Sequence, residues 1–246
     1  MANRQSHTDN RQLRKLPRSF YLRPTLTVAR DLLGKYFVRQ YEGKTLVGKI
    51  VEAEAYRGKL DPASHAYRGR TTRNDVMFME GGHLYVYFTY GMHFCANVVT
   101  GKEGTGEAVL IRAIEPLKGI DVMMKNRLKT RSHNKKSRGV PRSRIPPQSA
   151  MVNSGTNGTQ ATAQPPPANL TNGPAKLCEA LAIRRGENAF DLLGAEIYIL
   201  DSPELLSTEV GRSARIGITT GKEKQWRFYI RGNPWVSRRP RRKAMG

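Results

Sequence analysis

The chain has 246 residues, room for one sizeable domain or two small ones. Lysine and arginine number 42 against 20 acidic residues, a net charge of +22. That excess favours polyanions, nucleic acid first and an anionic membrane surface second, although a ribosomal or RNA-binding protein would share it. The sequence has no run of ~18 apolar residues and no apolar stretch behind its basic start, which argues against membrane spanning and secretion. Its two cysteines, Cys95 and Cys178, fit neither a disulfide framework nor a zinc spacing, and read as reduced packing residues of an intracellular protein.

In chain order, residues 1–17 are polar and basic and read as a disordered arm. RPTLTVARDLLGKYF predicts a helix, with Pro24 and Thr25 as start signals, Leu26, Ala29, Leu32 and Leu33 as an apolar stripe, and Gly34 as the stop. KYFVRQ and TLVGKIVEAEAY predict two strands of a hairpin around the YEGK turn. RGKLDPASHAYRGRTTRND is non-periodic and reads as a loop. HLYVYFTYGMHFCANVV is the most strand-like segment, broken at Gly91. GEAVLIRAIEP predicts another strand, stopped by Pro116, and LKGIDVMMKNRLK a helix.

Residues 129–172 carry no acid and no Phe, Trp or Tyr, with seven Lys/Arg and six Pro, so they read as a disordered basic insertion. GPAKLCEALAI resumes the fold as a helix with Pro174 near its start. AEIYIL and WRFYIRG predict strands, and residues 238–246 a basic tail. Short helices and hairpins without a βαβ rhythm predict an α+β fold with a largely antiparallel sheet. The single domain would span residues 18–237, interrupted by the insertion.

The strand VEAEAY poses a chemical question. Alternation puts Glu52, Glu54 and Tyr56 on one face and Val51, Ala53 and Ala55 on the other. Carboxylates are depleted in strands, so this pattern breaks a local rule, which is a weak pointer to function. In LYVYFTYG, Tyr85 and Tyr87 share one face, while Leu84, Val86, Phe88 and Tyr90 share the other. Taken singly these are core aromatics. With the +22 charge and a nearby carboxylate they suggest a pocket that stacks a nucleobase.

The segments IVEAEAY, DPASHAYRGRT, RNDVMF, LYVYFTYGMHFCANVV, AVLIRAIEP, GPAKLCEALAI and RFYIRGNPWVS occur in this order. Together they resemble the alkyladenine (3-methyladenine) DNA glycosylase family of the mammalian type, which also has bacterial members. The resemblance covers roughly residues 18–128 and 173–237. It implies a single mixed domain around a curved sheet with flanking helices. It also implies a cofactor-free monomer that acts on double-stranded DNA containing damaged purines, away from membranes, in the bacterial cytoplasm or nucleoid or in a nucleus. The implied reaction flips 3-methyladenine, 7-methylguanine, hypoxanthine or ethenoadenine out of the duplex and cuts its N-glycosidic bond to leave an abasic site.

Residue by residue, the resemblance implies that Glu54 is the catalytic carboxylate, readying a water and stabilising an oxocarbenium-like sugar. Glu52, its neighbour on the same face, reads instead as a structural ion pair with one of the arginines. Two such acids, if buried, should push one pKa upward. Tyr56, His65 and Tyr87 resemble the trio that sandwiches the flipped base, and cationic purines would gain from aromatic faces. Tyr90 resembles the wedge that fills the gap in the duplex, flanked by Met92 and His93. Asn97 resembles a gatekeeper against the guanine 2-amino group. Arg112 resembles the arginine near the water and the DNA backbone, and the Ile216 carbonyl the second partner of that water. One departure is Thr72, where the family commonly has proline, which would loosen the loop after His65.

A lyase activity would need an amine nucleophile. Strand parity places Lys49 on the face opposite Glu54, which predicts a monofunctional, hydrolytic enzyme. Three rivals stand beside this reading: a metal-dependent nuclease built on Glu52, Glu54 and Asp61, a non-catalytic RNA-binding or ribosome-associated protein supported by charge alone, and a family member that has lost activity, which the presence of all the side chains named above disfavours.

Overall fold

The structure, a computed structural model, describes residues 13–89, 93–136, 166–167 and 169–237, and of residues 131–136 the helical backbone alone. Helix α1 (Arg18–Tyr21) and helix α2 (Thr25–Asp31) precede a hairpin of β1 (Tyr36–Tyr41) and β2 (Lys44–Arg57). Its two-residue turn uses Glu42 at φ 47° and Gly43 at φ 69°, the left-handed pair that matches strand twist. Short 3-10 turns at Gly58–Leu60 and Asp75–Phe78 interrupt the loop that follows. Strands β3 (Leu84–Thr89), β4 (His93–Thr100) and β5 (Glu107–Lys118) lead into α3 (Ile120–Lys136). Helix α4 (Pro174–Ala180), β6 (Ile197–Leu200), β7 (Val210–Ser213) and β8 (Arg227–Ile230) complete the domain.

All eight strands join one antiparallel sheet in the order β3-β4-β5-β2-β1-β6, with β8 bridging β2 and β7. The α+β expectation therefore holds. Among the described residues, no helix is long and apolar enough to cross a membrane. One core cluster packs Val28, Ala29, Leu32 and Leu33 of the α2 region with Ile111 and Phe228 of the sheet and Leu177 of α4. A smaller cluster of Ala66, Val76, Met77, Phe78, Tyr85, Val99 and Ala108 sits under the 58–78 loop.

The longest strand pair, β2 with β5, carries two register steps that place the polar site. Ile50 pairs with Ile114 and Glu52 with Ala113, leaving Val51 unopposed; Ala53 then pairs with Ile111, leaving Arg112 unopposed. Such two-against-one steps re-aim side chains. Leu46 and Ile50 enter the main core, and past the step Val51, Ala53 and Ala55 do so instead. The face parity of β2 thus reverses at residues 50–51. This corrects the parity argument for Lys49, which shares the non-core face with Glu52 and Glu54. Lys49 is held there by Glu115, with Nζ 2.9 Å from the carboxylate.

Several boundaries also move. Strand β5 runs past Pro116 to Lys118. Pro116 pairs with Gly48 at another register step, where a missing N–H costs little. The expected arm is too long, because Leu16 is buried and its N–H donates to Ile199 O, beside a bridge between Lys15 and Leu200. The expected insertion is too wide at both ends. Helix α3 extends to Lys136, Leu170 joins the core, and Thr171 Oγ1 donates to Ile114 O at 2.6 Å. Residues 137–165, 168 and 238–246 lie outside the described residues. Strand β7 has no strong sequence signal, since VGRS is short and carries one apolar side chain.

If residues 170–171 belong to the core, Leu170→Ala should lower the unfolding free energy by about 2–4 kcal/mol, the usual cost of a large-to-small core change. Urea denaturation of the full chain measures it.

Candidate active site

The sheet face opposite the main core carries a buried ionic cluster. Glu52 and Glu54 are both fully inaccessible. Glu52 Oε1 accepts from Arg112 Nε at 2.8 Å, Arg227 Nε at 2.7 Å and Ser237 Oγ at 2.8 Å, and Oε2 accepts from Ser237 N at 2.7 Å. Both oxygens of Glu52 are thus bonded within the protein, Oε1 three times and Oε2 once, as expected of a structural ion pair. Glu54 Oε2 accepts from Tyr56 Oη at 3.0 Å and Arg112 Nη1 at 3.3 Å, and Oε1 accepts from Ile216 N at 2.8 Å. Arg112 Nη2 reaches Ser237 Oγ at 3.4 Å. The guanidinium is therefore clamped between both carboxylates.

Burial, the largest influence on Glu54, raises its pKa. The Arg112 charge, the Ile216 N–H and the Tyr56 hydroxyl oppose that rise, and the Glu52 charge adds slightly to it. The net displacement is upward from the ordinary 4.5. Burial and the adjacent Glu54 charge push the Tyr56 phenol far above its usual range, so it remains a donor.

Above this cluster opens a cavity of about 630 Å³, a size suited to a small ligand. Tyr56, His65, Tyr87, Asn97, Arg112 and Ile216 all line it. His65 stands edge-on to Tyr87 with ring centroids 4.5 Å apart, and Tyr85 stacks on Tyr87 at 5.5 Å and 29°. His65 Nδ1 lies 3.1 Å from Tyr85 Oη. Burial of its inner edge, aided by the Arg73 charge, lowers the His65 pKa and favours the neutral ring. Asn97 is buried and donates from Nδ2 to Tyr85 O at 3.1 Å, which fixes its amide plane beside the cavity. The pairs Tyr85 with Asn97 and Asn97 with Leu110 put these residues in one row across β3, β4 and β5.

The loop that carries His65 is tied by Asn74, whose Nδ2 donates to His65 O at 2.8 Å and Gly69 O at 3.0 Å. Thr72 lies inside this clamp. Arg73 Nη2 donates to Phe88 O at 3.2 Å and joins the loop to β3.

The structure brings together Glu54, Tyr56, His65, Tyr87, Asn97, Arg112 and Ile216. For Ile216 the group seen on Glu54 is the N–H rather than the carbonyl. Tyr90 and Met92 lie outside the described residues. His93 opens β4 with Nδ1 3.3 Å from Glu179 Oε1. Three groups that sequence reasoning passed over are Arg215, Arg227 and Ser237. They lie more than 150 positions from their acidic partners, without periodic signal, and the two arginines are hidden among 42 basic residues. Asp61 takes Arg215 at both carboxylate oxygens, Nη2 to Oδ1 at 2.7 Å and Nη1 to Oδ2. Burial alone would raise its pKa, but Arg215 holds it below the usual carboxylate range. Glu52, Glu54 and Asp61 therefore each face a guanidinium. Among the described residues no three His, Cys, Asp or Glu side chains converge in the manner of a metal site.

The site is an aromatic-lined cavity beside a buried, arginine-held carboxylate on an antiparallel sheet. A family model described as Methylpurine-DNA glycosylase (MPG) matches residues 19–234. A relative from Carboxydothermus hydrogenoformans is 46% identical over 91% of this chain and 99% of its own length. Relatives from Clostridium acetobutylicum and Desulfitobacterium hafniense are 44% and 41% identical, over 91% and 92% of this chain and 97% and 99% of theirs. All three bear the name "Putative 3-methyladenine DNA glycosylase". The chain belongs to the methylpurine-DNA glycosylase family. It is a DNA glycosylase, and DNA is its substrate.

Two expectations follow from the ionic cluster. Glu52→Ala leaves two buried guanidiniums short of a partner and should cost about 3–5 kcal/mol of unfolding free energy. Because the folded pKa of Glu54 is raised, its contribution to stability is full below the unfolded value and is lost as pH rises through the folded value. Glu54→Gln should therefore gain stability relative to the parent at pH 8 compared with pH 4, as read from urea midpoints at the two pH values.

Proposed function

We propose that the chain excises alkylated and deaminated purines from duplex DNA by hydrolysis alone, with Glu54 as the catalytic carboxylate. The observation that carries this reading is the position of Glu54: it is fully buried and does not itself line the cavity, but its three donors, Tyr56, Arg112 and Ile216, all do, so it lies directly behind the cavity wall with a raised pKa. A base of that kind is better matched to neutral pH than a solvated glutamate. On this reading Tyr56, Tyr87 and His65, which line the cavity, supply aromatic surfaces for an everted purine, and Asn97 in the same lining would crowd a guanine 2-amino group. Methylated purines such as 3-methyladenine are the guests that the family description and the relatives' names favour. Hypoxanthine and ethenoadenine are flat rings of the same outline.

In the proposed step, a water oxygen bonds to C1′ of the sugar as the C1′–N bond breaks. The bond pair leaves with the purine, and the water proton passes to Glu54. The carboxylate also opposes the positive charge that develops on the sugar. Arg112 is a positioning residue here. Its Nε, Nη1 and Nη2 all take protein partners, so it aims Glu54 and keeps the acid ionisable despite burial. Tyr56 both donates to Glu54 and presents its ring to the cavity. Tyr90, with Met92 and His93 beside it, is proposed as the wedge that replaces the flipped nucleotide.

Hydrolysis without strand cleavage is supported by the amines. No lysine lines the cavity among the described residues. Lys49, paired with Glu115, sits five strand residues from Glu54, roughly 16 Å away at ~3.3 Å per residue.

The test incubates the full chain with duplexes holding 3-methyladenine, hypoxanthine or ethenoadenine in the presence of EDTA. Alkali-labile sites should form, borohydride should trap no protein–DNA adduct, and the acid limb of the pH–rate profile should fall above pH 4.5. Glu54→Gln should lose at least about a hundredfold in rate, the scale of general-base assistance. Equal rates for parent and variant would remove Glu54 from the mechanism.

A further inference from the structure

The Tyr56 ring is the cavity-facing end of a layered stack. The Arg215 guanidinium carbon lies 4.6 Å from the Tyr56 centroid and 5.2 Å from that of Trp226, and Lys224 Nζ lies 4.4 Å from Trp226 on the next layer. Aromatic and cation alternate from the pocket outward.

Arg215 is fixed in this place. Its side chain is fully inaccessible, Asp61 grips it at both oxygens, and Nη1 also donates to Ala55 O at 3.0 Å. Its Nε is buried with no hydrogen-bond partner among the described residues, so along that edge the aromatic faces are its compensation. Arg215 does not line the cavity, whereas Tyr56 does. The guanidinium therefore covers the ring from behind and leaves the rest of it to a guest.

We propose that Arg215 is a specificity-determining positioning residue that acts through Tyr56 to favour neutral over cationic purines; this rests on the reading of the pocket given above. A cation attracts an aromatic face because the ring offers electron density. A ring already engaged by a permanent cation offers less to a second one, and the two cations repel across it. A neutral purine stacks on the same ring without that penalty, and its electron-rich carbonyl or ring nitrogens gain from the electron-poor surface. Asp61 does not cancel the effect, because the guanidinium carbon and not the carboxylate lies over the Tyr56 ring, and the Glu54 carboxylate on the Tyr56 hydroxyl is the same in the parent and in both Arg215 variants. Arg rather than Lys suits the position, since a planar fork can grip Asp61 and present its face to two rings at once.

The test measures single-turnover release of 3-methyladenine, cationic while attached to its sugar, and of hypoxanthine, which is neutral. The proteins are the full-length parent, Glu54→Gln, Arg215→Lys and the double variant Arg215→Gln/Asp61→Asn. The double variant removes both charges together and leaves neither buried alone. It should raise the ratio of 3-methyladenine to hypoxanthine rates by about fivefold, the worth of one cation–π contact. Arg215→Lys keeps the cation and should keep the parent ratio even where both rates fall. A proportional loss on both lesions in the double variant would mean that Arg215 only holds the fold, and would overturn the inference while leaving the pocket reading intact. A ratio shifted equally by Arg215→Lys would overturn the charge argument. If the parent released neither base in a Glu54-dependent manner, the pocket reading itself would fall and this inference with it.

Discussion

The site depends on one guanidinium held between two carboxylates inside a sheet. Glu52 and Glu54 sit two residues apart on a fully buried strand segment, an arrangement that like-charge repulsion and desolvation would forbid if the acids stood alone. Arg112 bridges them, and Arg227 adds a second cation on the Glu52 side. The partition is unequal. Glu52 accepts from two arginines and from both groups of Ser237, and it is fully buried away from the cavity lining. Glu54 receives one arginine at 3.3 Å and two neutral donors, and remains beneath the cavity with a raised pKa. Two identical side chains are left in different states by what surrounds them, one flanked by two arginines and the other held by a single arginine with its pKa raised.

The register steps between β2 and β5 make this bridging possible. In a regular antiparallel ladder β2 would keep one parity throughout, and the small residues Ala53 and Ala55 would stand where the acids now are. The unopposed Val51 reverses that parity, and the unopposed Arg112 is re-aimed toward both glutamates. The same irregularity separates the apolar half of the sheet, packed on α2 and α4, from the polar half that floors the pocket. Strand β8 then closes the exposed edge of β2 beside Glu52 and delivers Arg227, while the chain beyond it brings the Ser237 N–H.

What the sequence makes legible is local. The β1–β2 hairpin reads from its Glu42-Gly43 turn, α2 from its stripe and Gly34, and the alternation of LYVYFTY correctly separates Tyr85 and Tyr87 from Leu84 and Val86. The shared face of Glu52, Glu54 and Tyr56 is legible too, because it lies beyond the parity reversal. The inference for Lys49 fails because it crosses that reversal, and nothing in the residue types of KIVEA announces an extra residue. Segment boundaries fail for a related reason. Leu16, Leu170 and Thr171 are held by partners remote in sequence, Ile199, the main core and Ile114, so a polar, proline-rich neighbourhood gives no hint that they are anchored. Arg215 and Arg227 are invisible in the same way, since pairing with Asp61 and Glu52 is a property of the folded chain alone.

Those buried arginines change how the net charge should be understood. Among the described residues, each buried lysine or arginine has a carboxylate: Lys35 with Asp201, Arg39 with Glu187, Arg112 with Glu52 and Glu54, Arg127 with Glu179, Arg215 with Asp61, and Arg227 with Glu52. The interior is close to neutral, as the cost of an unpaired buried charge requires. Six of the 20 acidic residues are used in that way. The six buried bases and six acids cancel, so the surplus does not come from the interior, and among the described residues the remaining basic side chains are in contact with solvent. A surface of that kind gains by displacing counterions from phosphates, which gives a DNA glycosylase an affinity for any duplex before a lesion is met. On the proposed reading, recognition of the damaged base would fall to a pocket whose buried charges are balanced, where a cation such as that on Tyr56 would weigh between guests.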